Sequence, residues 1–299
     1  MLTRSPAKGG SLTTISPNLH SKLLAAAIGR ACEFYGDFLG LSTEVDVPGM
    51  VDGYQRSYAA ALNLGLFAEG GIREKDHLNL WCLGKRLCPE TYVESGVFIG
   101  SSLHAFVSSE TIDRVVAIDP DLSKLKVSTD AVREAKLIDG ADFSEIEFQL
   151  GDGQSLVYFD DHINTANRIL QAAEKGFRYL LFDDSTGLEG VCQRLYPATP
   201  TIPMVMHCEL FSPGDELAWS FQKPIEPSLA SLAKGLVQTL LNPAGERVTM
   251  TATQELIDLC QAARDCVNQC EKIPDLGEFI PQSRPNRTVD TSKYLIELK

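Results

Sequence analysis

Between Thr91 and Asp183 the sequence alternates between two kinds of segment, and this alternation restricts the fold more than any other feature. Short runs rich in β-branched and aromatic residues have the composition of strands: Thr91–Ser95, Arg114–Asp119, Ile146–Leu150, Leu156–Asp161 and Arg178–Asp183. Stretches with helical spacing separate most of them: Leu103–Ser108, Ser123–Ile138 and Ile163–Lys175. Parallel neighbours need crossover connections, so strands that alternate with helices build a parallel sheet covered on both faces. The expected class is therefore α/β, a doubly wound, mostly parallel sheet. The gap from Gly151 to Ser155 is too short for a helix, which leaves one crossover without its usual covering element.

The flanks read differently. Leu23–Leu39, the Tyr54/Tyr58/Ala61/Leu62 repeat and Lys75–Leu87 have helical patterns. Beyond Asp184, Pro197, Pro200 and Pro203 interrupt a connector, and Ile202–Glu209 reads as a strand. Ser228–Leu241 and Thr251–Ile273 read as helices, the second opened by a capping box of Thr251 and Gln254. Pro274–Arg287 has loop composition, and Lys293–Leu298 reads as a terminal strand. The expected division is an arm with helices over 1–74, a ligand-binding core over 75–210, and a helical cover with the terminal strand over 211–299.

Charge narrows the partners. The formal net charge is −13, so a polyanion would meet repulsion over most of the surface and nucleic acid is excluded as a partner. The longest uninterrupted apolar stretch, Leu23–Gly29, is seven residues, far below the roughly 18 of a membrane span. Residues 1–32 hold Arg4, Lys8, Lys22 and Arg30 and no acid, and they are rich in Ser and Thr. That composition matches an organelle transit segment and equally a solvated arm; the arm, in a cytoplasmic protein, is the expectation. None of the eight cysteines forms a C-x-x-C pair. Cys260, Cys266 and Cys270 fall on one apolar helical stripe, where thiols pack as small hydrophobes, so reduced thiols are expected.

Three features lie at strand ends, where open parallel sheets bind their ligands. The first is Glu94-Ser95-Gly96-Val97-Phe98-Ile99-Gly100-Ser101-Ser102, between a strand and a helix. A dinucleotide fingerprint needs a second glycine two places after the first so that backbone can meet pyrophosphate; here that place is Phe98, so a ligand without pyrophosphate fits better. The second is Asp119, whose carboxylate can accept from both hydroxyls of a ribose or cap the next helix. Gly151-Asp152-Gly153-Gln154 then either flanks an adenine edge or forms a glycine turn. The third is a pair of acidic doublets, Asp160-Asp161-His162 and Asp183-Asp184, at the ends of adjoining strands. Like charges at neighbouring tips need a cation or a shared proton, and oxygen ligands without cysteine favour Mg²⁺ or another divalent cation. The competing role for each aspartate is a helix N-cap.

With these residues the chain resembles the class I S-adenosylmethionine-dependent methyltransferases, and more narrowly their metal-dependent O-methyltransferases of the catechol and macrocin types. The resemblance spans roughly residues 75–190 and the terminal strand, and it implies a Rossmann-like fold. It implies that Glu94, Gly96, Gly100 and Ser101 line the methionine end of S-adenosylmethionine, that Asp119 holds the ribose, and that Asp152, Gly153 and Gln154 lie near the adenine. It further implies Asp161, Asp183 and Asp184 as metal ligands, to which the acidic-cluster reading adds Asp160, with Asp161 and His162 expected at the chemistry. Catechol-type enzymes place a lysine base three residues after the first metal aspartate; here that residue is Asn164, so His162, then His104 and His207, become the candidate bases.

The expected reaction is methylation of a hydroxyl on a small molecule, with the cation lowering the hydroxyl pKa and the protein aligning nucleophile, methyl and sulfur. The alternatives are a metal- or nicotinamide-dependent oxidoreductase on the same fold, or a cofactor-binding homologue without catalysis. A homo-oligomer is left open.

Overall fold

The computed structural model describes residues 16–68, 71–130, 132–183, 200–220, 247–280 and 293–299. Three helices come first: α1 (Pro17–Leu39), α2 (Val47–Asn63) and α3 (Glu74–Leu87). There follow β1 (Thr91–Ser95), α4 (Ser101–Val107), β2 (Arg114–Asp119), β3 (Glu134–Asp139), β4 (Ser155–Phe159), α5 (Thr165–Glu174) and β5 (Tyr179–Phe182). Beyond them lie α6 (Ile202–Met206), β6 (Glu216–Ser220), β7 (Arg247–Thr251), α7 (Gln254–Asp265), β8 (Val267–Lys272) and β9 (Tyr294–Leu298).

Seven strands form one sheet in the order β3-β2-β1-β4-β5-β9-β8. The first five are parallel, while β9 runs antiparallel to both β5 and β8. From β1 the chain moves outward through β2 to β3, then returns to the other side of β1 with β4. The switch point of this Rossmann-like α/β sheet therefore lies between the carboxyl ends of β1 and β4. β6 and β7 form a separate antiparallel pair.

Strands β1, β2, β4 and β5 stay in the sheet because both faces find cover. Tyr92, Val115, Ala117, Leu156, Tyr158 and Leu181 pack in one core with Leu24, Ile28, Tyr35, Leu80 and Trp81 of α1 and α3. Their neighbours Val93, Val116, Ile118, Val157, Phe159, Leu180 and Phe182 pack on the other face with Ala166, Ile169 and Ala172 of α5 and Cys260 and Ala263 of α7. Burial on both faces is what a central parallel sheet requires. The helices before β1 share the sheet's own core, so the boundary expected at residue 74 coincides with no gap in the packing.

Several expectations need correction. The arm expected over 1–32 is helical from Pro17, where Ser16 caps α1 and Leu24, Ala27, Ile28, Ala31 and Cys32 are buried. The third strand is Glu134–Asp139, overlapping the end of the stretch expected to be helical, and Ile146–Leu150 forms no ladder. Ile202–Glu209 is the short helix α6 and a 3₁₀ turn rather than a strand. The helix expected over Thr251–Ile273 begins at Gln254, is capped by Thr253 instead of Thr251, and gives way to β8. Cys260 is buried as expected, but Cys270 lies on β8 and not on the helical stripe. Among the described residues every cysteine is a free thiol. The helix expected at Ser228–Leu241 and the residue Asp184 lie outside the described residues.

Candidate active site at the carboxyl edge of the sheet

The loop after β1 is built by what it excludes. Gly96 has φ +91°, and its N–H donates to the Ile118 carbonyl at 2.9 Å, fastening the loop to β2. A Cβ on Gly96 would lie 2.4 Å from the Asp160 carbonyl oxygen and 2.8 Å from the Asp161 nitrogen, so this turn presses backbone against backbone at the switch point. Phe98 also has a left-handed φ, +49°, and its ring lies under the Lys124 ammonium at 5.2 Å. A bulky residue held at positive φ is uncommon, and such strain concentrates at working sites.

Asp119 ends β2 beside this loop. One carboxylate oxygen accepts from the Val97 and Phe98 N–H groups at 2.7 and 2.8 Å, and the other accepts from the Asp121 N–H at 2.8 Å. The side chain that the resemblance assigns to ribose thus stands at the tip of β2 against the glycine loop. Gly100 closes the loop at φ +84°.

Glu94 and Ser101 serve from beneath. Glu94 is fully buried and accepts from the Tyr92 hydroxyl and the Ser102 hydroxyl, each at 2.5 Å. Burial outweighs those donors and pushes its pKa up to about 8, so the carboxyl is mostly neutral at pH 7. Ser101 donates to the Leu66 carbonyl at 2.7 Å and ties α4 to the segment after α2. Both residues are buried.

Asp152, Gly153 and Gln154 are a clear departure. They precede β4, where the Gly153 N–H donates to the Glu90 carboxylate at 3.0 Å and the Glu90 N–H donates to the Gln154 carbonyl at 2.8 Å. This turn wraps Glu90 at the amino edge of the sheet, about 16 Å from the carboxyl tips, given a rise of about 3.3 Å per residue. The expected adenine role does not survive that displacement. The tip of β3 is instead Asp139-Gly140, with the Gly140 N–H on the Asp119 carbonyl at 2.9 Å.

The acidic rim divides into two. Asp161 turns inward, accepting from the Ser95 hydroxyl at 2.6 Å and pairing with Arg168 at 2.8 Å. Arg168 is almost wholly buried, bonds Asp142 at 2.6 and 3.0 Å, and lies over the Phe143 and Phe159 rings. Burial alone would lower the Arg168 pKa, but the two aspartates overcome it and raise it; Asp142 in turn is held well below the carboxylate range, first by the Arg168 hydrogen bond. Asp161 is thus an ion-pair partner of Arg168 and stands outside the group whose ligand atoms converge at the rim.

Asp160, His162 and Asp183 form the outer group, each offering one ligand atom within 4.8 Å of the others. His162 Nε2 stands 3.5 Å from an Asp160 oxygen, and its backbone takes a left-handed φ of +55°. Asp183 accepts from the Tyr158 hydroxyl at 2.8 Å, and the same oxygen contacts the Lys293 ammonium. Of the other candidate bases, His104 is locked into a buried pair, its Nδ1 3.0 Å from His77 Nε2, and His207 sits exposed at the end of α6.

In strand order, glycine loop and strand-tip acids the chain resembles the class I S-adenosylmethionine-dependent methyltransferases. No protein-family model matches the sequence, and no curated protein matches it significantly. Similar solved structures include an O-methyltransferase from Bacillus cereus in complex with S-adenosylhomocysteine (SAH), 11% identical with a TM-score of 0.36 over 68% of this chain and 91% of that one. An SAH-bound methyltransferase from Podospora anserina is 11% identical with a TM-score of 0.39 over 97% of this chain and 99% of that one. CmcI with Mg and S-adenosylmethionine is 25% identical with a TM-score of 0.28 over 41% of this chain and 54% of that one.

Sequence reasoning missed Arg168 and Lys293. Arg168 carried no signal beyond a charge between the apolar positions Ala166 and Ile169 of an amphipathic helix. Lys293 did carry one, since it begins the expected terminal strand and so stands at a sheet tip.

Proposed function

We propose that the protein is an S-adenosylmethionine-dependent methyltransferase acting on a hydroxyl of a small molecule. The observation that carries this reading is the switch-point constellation: Gly96 packed on the Asp160 backbone with the Asp119 carboxylate at the adjoining tip. Phe98 occupies the place where a pyrophosphate would need glycine, which favours an adenosyl ligand over a dinucleotide.

The bound cofactor supplies a methyl group on a positively charged sulfur. Asp119 accepts from the ribose hydroxyls, while the β3 tip at Asp139-Gly140 takes the adenine side in place of the displaced 152–154 turn. His162, oriented by Asp160, takes the proton from the substrate hydroxyl as the oxygen attacks in line. Tyr158 stays protonated, because burial and then the Asp160 and Glu94 charges raise its pKa, and it remains a donor to Asp183.

Mg²⁺ fits this rim less well than the sequence suggests. That ion demands six near-octahedral ligands, mostly oxygen. Here one described oxygen of Asp183 already holds two donors, Asp161 is paired to Arg168, and the third member of the outer group is an imidazole. The chemistry written for these residues needs no metal.

Isothermal calorimetry with S-adenosylmethionine, SAH and NAD tests the cofactor. The expected result is binding of the first two, weakened at least tenfold in Asp119→Ala, and none of NAD. Binding of NAD without either sulfur compound would overturn the reading.

A further inference from the structure

Lys293 is brought to the rim by sheet register. β9 pairs antiparallel with β5, Tyr179 facing Glu297 and Phe182 facing Tyr294, so the next pair along is Asp183 and Lys293. Residues directly opposite in an antiparallel pair have Cβ atoms about 5 Å apart, well within the reach of a lysine side chain. The Lys293 side chain is 3% exposed and that of Asp183 is 10% exposed. A buried ammonium persists only where an opposite charge meets it, and Asp183 is that charge. The Lys293 carbonyl accepts from the Ile273 N–H at 3.0 Å, which fixes its backbone against the strand next door.

We propose that Lys293 supplies, from within the chain, the positive charge that a divalent cation would bring to the Asp160–Asp183 rim, and that its ammonium keeps such a cation out. Two carboxylates and a histidine converge here, so the rim has the charge to attract a metal. The ammonium already neutralises Asp183 and takes up the oxygen it shares with the Tyr158 hydroxyl. A divalent ion entering beside it would face a fixed like charge in a place with little water. The role is one of positioning: Lys293 holds Asp183 and balances the rim around His162. Only its consequence for turnover depends on the methyltransferase reading.

Manganese titration followed by electron paramagnetic resonance tests this without cofactor or substrate. Wild type should leave the Mn²⁺ signal free at millimolar metal. Lys293→Met, which keeps the side-chain length and removes the charge, should bind one Mn²⁺ at least tenfold more tightly, and Lys293→Met/Asp183→Asn should lose it again. One tightly held Mn²⁺ in wild type overturns the proposal, and this arm decides even where the variant fails to fold. A folded Lys293→Met, checked by circular dichroism, that binds Mn²⁺ no better than wild type also overturns it. Failure of S-adenosylmethionine to bind would leave these outcomes unchanged, so the two readings fall separately.

Discussion

Glu94→Gln should make the protein more stable in mild alkali and leave it unchanged in acid. Glu94 is fully buried between Tyr92 and Ser102, and burial raises its pKa from 4.5 to about 8. Below pH 4.5 the carboxyl is protonated in both folded and unfolded chains, so it adds no pH dependence. Between pH 4.5 and 8 only the folded chain holds the proton, and unfolding releases it, so stability falls as pH rises. At 1.36 kcal/mol per pH unit the loss across that window is about 5 kcal/mol. Glutamine cannot ionise and keeps an acceptor and a donor in the same place. Urea unfolding of both proteins at pH 4, 6 and 8 gives the comparison, because other titrations cancel in the difference. The curves should meet near pH 4 and separate toward pH 8, with the variant higher. Parallel curves over the whole range would show that the carboxyl is charged when folded and would refute the reasoning.

Gly96→Ala should cost about 2–4 kcal/mol, since the new methyl meets the carbonyl and nitrogen of the β4 tip, which cannot move as a side chain could; thermal unfolding checks it, and a change under 0.5 kcal/mol would contradict it. Arg168→Met should cost about 3–5 kcal/mol by leaving Asp161 and Asp142 facing an uncharged side chain, as urea midpoints will show. In wild type the depressed Asp142 pKa contributes stability above the ordinary carboxylate range that is lost as pH falls through and below it; acid unfolding of Arg168→Met should lose the Arg168 share of that component and keep the share from the Ser144 hydrogen bonds. His77, whose pKa burial lowers well below 6.5 with a smaller contribution from His104, should stay neutral in nitrogen-detected NMR spectra at pH 6.

The parallel core was legible because its strands are buried on both faces, and β-branched and aromatic runs such as Arg114–Asp119 have no other use there. The third strand was not. Glu-Ala-Lys-Leu within Glu134–Asp139 favours a helix intrinsically, and the strand is mostly exposed at the sheet edge, held by its ladder to β2. Ile146–Leu150 misled in the opposite sense. Its alternation is real, since Ile146, Phe148 and Leu150 pack on the core, but an extended segment becomes a strand only when another backbone pairs with it. That slip placed the 152–154 turn at the wrong edge of the sheet. At the site, Gly96, Asp119 and the doublets announced a carboxyl-edge cluster. Which aspartate turns inward depends on Arg168, whose helical position gave no hint of its partners, and on Lys293, whose place at the start of the terminal strand was legible but whose pairing with Asp183, 110 residues earlier, was not.

The placement of β9 has a consequence for assembly. It follows β8 along the chain, yet it sits between β8 and β5. β8 therefore has no seat on the sheet until residues 294–298 arrive and intercalate. A ribosome-tethered chain stopped short of that point would carry five parallel strands with β5 left as an edge, and its rim aspartate would stand without the lysine that answers it. Seating of β8 and delivery of the Lys293 charge to the rim thus depend on one short segment, residues 293–298.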